Sequence, residues 1–238
     1  MILELKNIRK DYEGLKWAVR EINFSAENGQ TLVLCGAPGS GKSTILRMIA
    51  GLESPASGEI LLDGKDYTNI YPKHKDAFYM QSTPALFERY TVSKNLALGL
   101  KYRKVEKNEI AARVHAIAEQ MGIDNLLTLK PKKLTSLEKI KIGIARIYIR
   151  KPKLILLDDP FLFLDEKDSV IALSLIKGLA EELGCVIIYA CTDPNHAKEL
   201  QTQTAVIKEG FIQQFAHIDD ITQNPANKYV EVFVSGSY

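Results

Sequence analysis

Nine consecutive residues, Gly36-Ala37-Pro38-Gly39-Ser40-Gly41-Lys42-Ser43-Thr44, have the types and spacing to hold a polyphosphate. The glycines let the backbone curl so that successive N–H groups point inward at one anion. The following run, Ile45-Leu46-Arg47-Met48-Ile49-Ala50, has a helical pattern, and a helix start adds unpaired donors and partial positive charge. Lys42 is placed to reach the β- and γ-phosphates of a nucleoside triphosphate, and the Ser43 hydroxyl to take a place on Mg²⁺. The preceding run, Thr31-Leu32-Val33-Leu34-Cys35, supplies the strand this chemistry requires.

A second chemical signal is Asp158-Asp159, which closes the apolar run Leu154-Ile155-Leu156-Leu157. Such a run suits a strand buried on both faces of a parallel sheet, and ligands bind at the carboxyl ends of those strands. Asp158 is therefore a candidate to hold Mg²⁺ or its water, as against two acids that merely cap a turn. Two further residues are ambiguous alone. Tyr12, in the turn-like stretch 10–14, is either a base-stacking aromatic or an amphipathic surface residue. Gln81, ending Phe78-Tyr79-Met80-Gln81, reads as a solvated loop amide unless other groups recruit it.

The elements around these residues predict an α/β fold: a phosphate-loop core with a mostly parallel sheet, an N-terminal antiparallel β piece and an inserted helical subdomain. Short strands at Ile2–Leu5, Ile22–Ser25 and Thr31–Cys35 follow too quickly for crossover helices, and a further strand spans Ser57–Gly64. From about Thr91 to Ile149 the pattern is helical, with Val114, Ile117, Ala118 and Met121 on one face and a second helix from Ser136 to Ile147 stopped by Lys151-Pro152. A single helix is expected over about Ser169–Leu183, and a hairpin across Glu209-Gly210. The core is placed at residues 1–84 and 151–238 and the helical subdomain at about 85–150, within one domain.

Composition narrows the classes. The net charge of +2 is too small to imply nucleic acid, although a pI of 8.3 does not exclude it, and no stretch has the ~18 apolar residues of a membrane span. Met1-Ile2-Leu3-Glu4 does not open a signal peptide. Cys35, Cys185 and Cys191 lie in or beside strand-like runs without metal spacing, as reduced core thiols do.

The order of these motifs resembles the ATP-binding subunit of an ABC transporter over essentially the whole chain. Thr91-Val92-Ser93-Lys94-Asn95-Leu96-Ala97-Leu98-Gly99-Leu100, Lys130 to Leu134, Gly210 to Gln214 and Asn224 to Asn227 are similar to the subgroup that powers sugar uptake in bacteria. The resemblance implies ATP and Mg²⁺ as cofactors. It matches Tyr12 to the adenine-stacking aromatic, Gly36 to Thr44 to the Walker A loop and Asp158 to the Walker B aspartate. Gln81 matches the glutamine that touches Mg²⁺ and attacking water and senses the permease, and Asp165 the aspartate of the D-loop. The implied partners are a second ATP-binding subunit, membrane permease subunits and, indirectly, an extracytoplasmic substrate-binding protein, with no nucleic acid. The implied location is peripheral, on the cytoplasmic face of the cell membrane. That subgroup continues into a C-terminal regulatory domain, whereas this chain stops at Tyr238, either lacking the domain or cut before it.

The hydrolytic set departs from the family. Asp159 stands where the family has a glutamate base, and one methylene less leaves its oxygen ~1.5 Å short on an unmoved backbone, a misplacement that costs ~10²-fold. Thr192 stands at the switch histidine, uncharged and with less reach, and His196 is displaced by four residues. The family's LSGGQ signature reads Leu134-Thr135-Ser136-Leu137-Glu138, with side chains in place of both glycines and a carboxylate facing a polyphosphate. The expectation is a degenerate subunit that binds ATP and hydrolyses it poorly. A heteromer with an intact partner is favoured over a homodimer. The alternatives are a regulatory or scaffolding ABC subunit and a soluble non-transport ABC ATPase.

Overall fold

Alternation of buried and exposed residues builds the first sheet, and unbroken burial builds the second. The structure, a computed structural model, describes residues 2–12 and 17–236. In chain order the strands are β1 (Ile2–Lys10), β2 (Val19–Glu27), β3 (Thr31–Cys35), β4 (Ser57–Leu62), β5 (Lys65–Asp66), β6 (Ala77–Gln81), β7 (Leu154–Asp158), β8 (Val186–Cys191), β9 (Gln203–Lys208) and β10 (Phe211–His217). The helices are α1 (Lys42–Ala50), α2 (Val92–Tyr102), α3 (Lys107–Met121), α4 (Ser136–Arg150), α5 (Glu166–Ile176), α6 (Leu179–Leu183), α7 (Pro194–Leu200), α8 (Ile218–Gln223) and α9 (Lys228–Ser235). Strands β2-β1-β4-β5 form an antiparallel sheet, and β10-β9-β3-β8-β7-β6 form a second, six-stranded sheet. In the second, β3 runs parallel to β8 and β9, and β7 parallel to β8. The α/β class, the antiparallel N-terminal piece and the mostly parallel sheet read from the sequence are all present.

Strands β7 and β8 are buried at every position, as a sheet covered on both faces demands. One apolar cluster joins Leu3, Leu5, Ile22 and Phe24 of the antiparallel sheet to Ile45, Leu46, Met48 and Ile49 of α1, and to Leu32, Leu34, Leu154, Leu156, Val186 and Ile188 of the second sheet. Helix α1 is thus clamped by apolar contact along its length, which holds its N-terminus in place. Removing one of these buried branched side chains costs about 2–5 kcal/mol.

The chain divides into two compact units. The first comprises Met1–Tyr79, Lys153–Asp159 and Ile176–Tyr238, and the second Met80–Pro152 and Pro160–Leu175. In the second unit α2, α3 and α4 pack on one another through Leu96, Leu100, Val114, Ile117, Ile140, Ile144 and Ile147, all buried. The helix expected over Ser169–Leu183 is two helices. Gly178 adopts φ +78° between α5 and α6, a left-handed turn that interrupts the helical hydrogen bonding. The turn read at residues 10–14 reaches Glu13 and Gly14, and the chain ends Met1 and Tyr238 also carried readings; all four lie outside the described residues.

Candidate functional site

The phosphate loop leaves β3 at Cys35 and enters α1 at Lys42. Gly36 donates its N–H to Cys191 O at 3.3 Å, which ties the loop to the end of β8. A Cβ at Gly36 would sit 2.2 Å from Ile207 O, so only glycine lets β9 pass this close. At the other end Gly41 has φ +106°, and a Cβ there would meet Ala18 O at 2.4 Å. Gly41 is the N-cap of α1 and provides no side-chain cap, and the first turn carries no acid. Among the described residues no side-chain cap occupies this helix start, the condition under which an anion binds.

Lys42 is buried, and its Nζ donates to Gly36 O at 2.6 Å, Ala37 O at 3.0 Å and Ser40 Oγ at 3.3 Å. Burial lowers the ammonium pKa, while Cys191, Asp159, Cys35 and Asp158 oppose that shift. Ser43 Oγ donates to Asp158 Oδ1 at 2.8 Å, bridging the start of α1 and the end of β7. Asp158 Oδ2 accepts from Tyr79 Oη at 2.6 Å. Tyr79 has no counterpart in the sequence reading; its only local signal is its place on β6, two residues before Gln81.

The donor set fits a magnesium-bound nucleoside triphosphate. An uncapped helix start faces the loop, a buried ammonium is held on loop carbonyls that a phosphate can replace, and a hydroxyl–carboxylate pair of hard oxygens lies beside them. Pro38, Gly39 and Thr44 complete the loop. Thr44 Oγ1 is 3.4 Å from Tyr12 Oη, which donates to Glu53 Oε2 at 2.6 Å, and Arg47 Nε lies 2.8 Å from Glu53 Oε1. Tyr12 is therefore tied by its hydroxyl to the flank of α1.

Asp159 follows β7 with φ +47°, in the left-handed region that aspartate tolerates better than most residues. Its N–H donates to Ala190 O at 2.9 Å, and its Oδ2 accepts from Thr192 Oγ1 at 3.2 Å. Burial raises the carboxyl pKa, and the Thr192 hydrogen bond and the Lys42 charge limit the rise. The chain thus brings together Asp159 and Thr192, the two residues that the resemblance singled out as a substituted base and switch. His196 is engaged elsewhere: buried on α7, its Nδ1 lies 2.8 Å from Tyr189 Oη.

The remaining predicted residues belong to the second unit. Gln81 ends β6 and is exposed. Thr135 is the N-cap of α4, and its Oγ1 accepts from Glu138 N at 3.2 Å while a Glu138 carboxylate oxygen accepts from Thr135 N at 2.8 Å. This is a complete capping box. Ser136 is exposed, Leu137 half-buried and Leu134 buried. Asp165 Oδ1 accepts from Asp168 N at 2.8 Å at the start of α5. Within the first unit Cys35 and Cys191, in register on β3 and β8, have their sulfurs 3.5 Å apart, and all three cysteines are free and buried.

A family described as ABC transporter matches residues 19–162. A Bacillus subtilis protein named as an uncharacterized ABC transporter ATP-binding protein is 38% identical over 232 residues, covering 98% of this chain and 63% of its own length. A trehalose/maltose import ATP-binding protein of Thermococcus litoralis is 35% identical, covering 91% of this chain and 60% of its own. An sn-glycerol-3-phosphate import ATP-binding protein of Vibrio cholerae is 36% identical, covering 98% and 63%. The chain therefore spans roughly three-fifths of the length of these relatives. Among solved structures, cbiO1 from Clostridium perfringens, described as part of the ABC transporter complex cbiONQ, superposes with a TM-score of 0.83 at 24% identity, covering 94% of this chain and 91% of that one. That likeness establishes the fold. Among the described residues no helix is long and apolar enough to cross a membrane.

Proposed function

The chain belongs to the ABC transporter family of ATP-binding subunits, and from that premise we propose that it is an importer subunit which binds MgATP and hydrolyses it weakly or not at all at its own site. The observation that carries this reading is the contrast inside one unit between a fully knitted Lys42–Ser43–Asp158 set and an Asp159 whose carboxylate is engaged by Thr192. Bound MgATP supplies the phosphoanhydride bond and the metal's charge. Lys42 would exchange its loop carbonyls for phosphate oxygens, Ser43 and Asp158 would hold the metal, and Tyr12 would stack on the base. With Asp158 given to the metal, Asp159 is the candidate base at the end of β7. Thr192 occupies one of its oxygens, and the side chain is a methylene shorter than glutamate. Both effects weaken proton abstraction from water.

Gln81 would sense the permease, and Leu134 to Glu138 and Asp165 would face a second ATP-binding subunit. A heteromer supports turnover best. An intact partner's catalytic set would work against this chain's signature, and this chain's phosphate loop would retain its nucleotide for longer. The names of the relatives span trehalose/maltose, sn-glycerol-3-phosphate and molybdate/tungstate, which supports import of a sugar-like or other small solute, with cargo chosen by the permease. The proposed location is peripheral, at the cytoplasmic face of the membrane.

The test is ATP binding and ATPase activity of the wild type, Asp159→Glu and Lys42→Ala measured together. Tight binding with hydrolysis near background in the wild type, and binding lost in Lys42→Ala, is the expected result. Wild-type turnover at the rate of an intact family member would show that Asp159 suffices as base and would overturn the reading.

A further inference from the structure

A cleft of about 260 Å³ in the first unit is lined by Arg9, Trp17, Arg20, Glu21 and Phe211, none of them used in the phosphate chemistry above. Its walls combine two features that proteins bury or cover where they have no use for them. Trp17 and Phe211 are 44% and 41% exposed, while the apolar cluster of the same unit is closed. The second feature is Arg20, whose guanidinium lines the cleft and whose Nε meets no acceptor among the described residues. The planar fork of a guanidinium matches the paired oxygens of a phosphate or carboxylate.

The backbone holds these groups in place. Arg20 N donates to Gly210 O at 2.8 Å, which joins β2 to the turn before β10 and seats Phe211 beside Arg20. The Arg20 guanidinium lies 5.4 Å from the Phe211 ring centroid, within cation–π range. Arg9 Nη2 contacts Glu21 Oε2 at 2.7 Å, so Glu21 neutralises Arg9 and the cleft retains the single positive charge of Arg20.

We infer that this cleft binds a small anion carrying a planar ring, the ring against Trp17 and Phe211 and the anionic group on Arg20. Phosphate and carboxylate share this chemistry, so a nucleoside monophosphate and an aromatic carboxylate are the two sources to separate. The cleft is distinct in its residues from the phosphate loop and does not depend on the transporter reading.

Trp17 is the only tryptophan of the chain, so its emission reports on the cleft directly. The intact chain and Lys42→Ala, which silences the phosphate loop, are titrated with adenosine monophosphate and with 4-hydroxybenzoate. Adenosine and inorganic phosphate serve as ring-only and anion-only controls. The expected result is saturable quenching by at least one ring-bearing anion at or below about 1 mM. It persists in Lys42→Ala and weakens about tenfold or more in Arg20→Ala, the loss of a charge-assisted contact. Quenching by the monophosphate alone assigns a phosphate ligand, and by the benzoate alone a carboxylate ligand. If Arg20→Ala does not fold, Arg20→Gln carries the test with the same expected direction. Two results overturn the inference: no saturable quenching by either anion, or quenching that vanishes in Lys42→Ala and survives at Arg20. Adenosine binding as tightly as its monophosphate also overturns it, since the guanidinium then plays no part.

Discussion

Two helix starts in this chain differ in what they leave for a ligand. Helix α1 begins on Gly41 without a side-chain cap and without an acid in its first turn. Helix α4 begins on Thr135, whose hydroxyl and N–H are both engaged by Glu138. Each start offers partial positive charge and unpaired donors, but the second supplies its own anion. An anion site is made by withholding the cap, at a cost in helix stability that apolar clamping along α1 offsets. A capping box stabilises the helix and lowers its appetite for an external phosphate. The same chain therefore holds one open and one self-satisfied helix end.

The largest effect expected from breaking this contrast is at the open end. Lys42→Ala removes the ammonium now held on the loop carbonyls and proposed to take up phosphate, and ATP affinity should fall by about a hundredfold or more, as loss of charge-assisted contacts predicts. Calorimetric titration with ATP measures it, and a loss below threefold would mean that the backbone donors alone hold the nucleotide.

At the closed end Thr135→Ala should lower stability by about 1 kcal/mol, the usual value of a lost N-cap. Ser43→Ala, in the first turn of α1, removes no cap; its cost, about 1–3 kcal/mol, should come instead from the Asp158 carboxylate oxygen left without its hydroxyl donor. Denaturant unfolding of the two variants side by side sharpens the comparison.

Glu138→Gln keeps the capping geometry and removes the charge. Its stability cost should be smaller, about 0.3–1 kcal/mol at low ionic strength, and should shrink with added salt. In a complex with an intact partner, the same variant should tighten ATP capture at the composite site.

The last test concerns the far end of α1, where Lys75 is buried, its Nζ donating to Ile49 O at 2.9 Å and lying 4.1 Å from the Tyr67 ring centroid. Burial pulls its pKa from 10.5 down to about 8, with Asp66 opposing. The unfolded chain then binds more protons than the folded one between these values, so stability should rise with pH from about 8 to 10.5. The slope in that window should diminish in Lys75→Met, which unfolding curves at stepped pH would reveal.

Consecutive residues carried most of what the sequence determined. The glycine loop, its strand and helix, the apolar run into Asp158 and the helical periodicity of residues 107–149 are local patterns, and local sterics and burial periodicity are enough to read them. The residues that the resemblance sets at the family's base, switch and signature positions, Asp159, Thr192 and Ser136 to Glu138, are singled out by type alone. What they do depends on contacts between distant segments. Thr192 meets Asp159 because β7 and β8 are paired in register, and Tyr79 reaches Asp158 from β6. Glu138 is turned onto its own helix start, Tyr12 is tied to Glu53, and Gly178 splits a pattern that reads as one helix. Arg20 is seated beside Phe211 only when β2 meets the turn before β10. Residue type sets which bonds a side chain is able to make, and long-range packing decides which of them it makes.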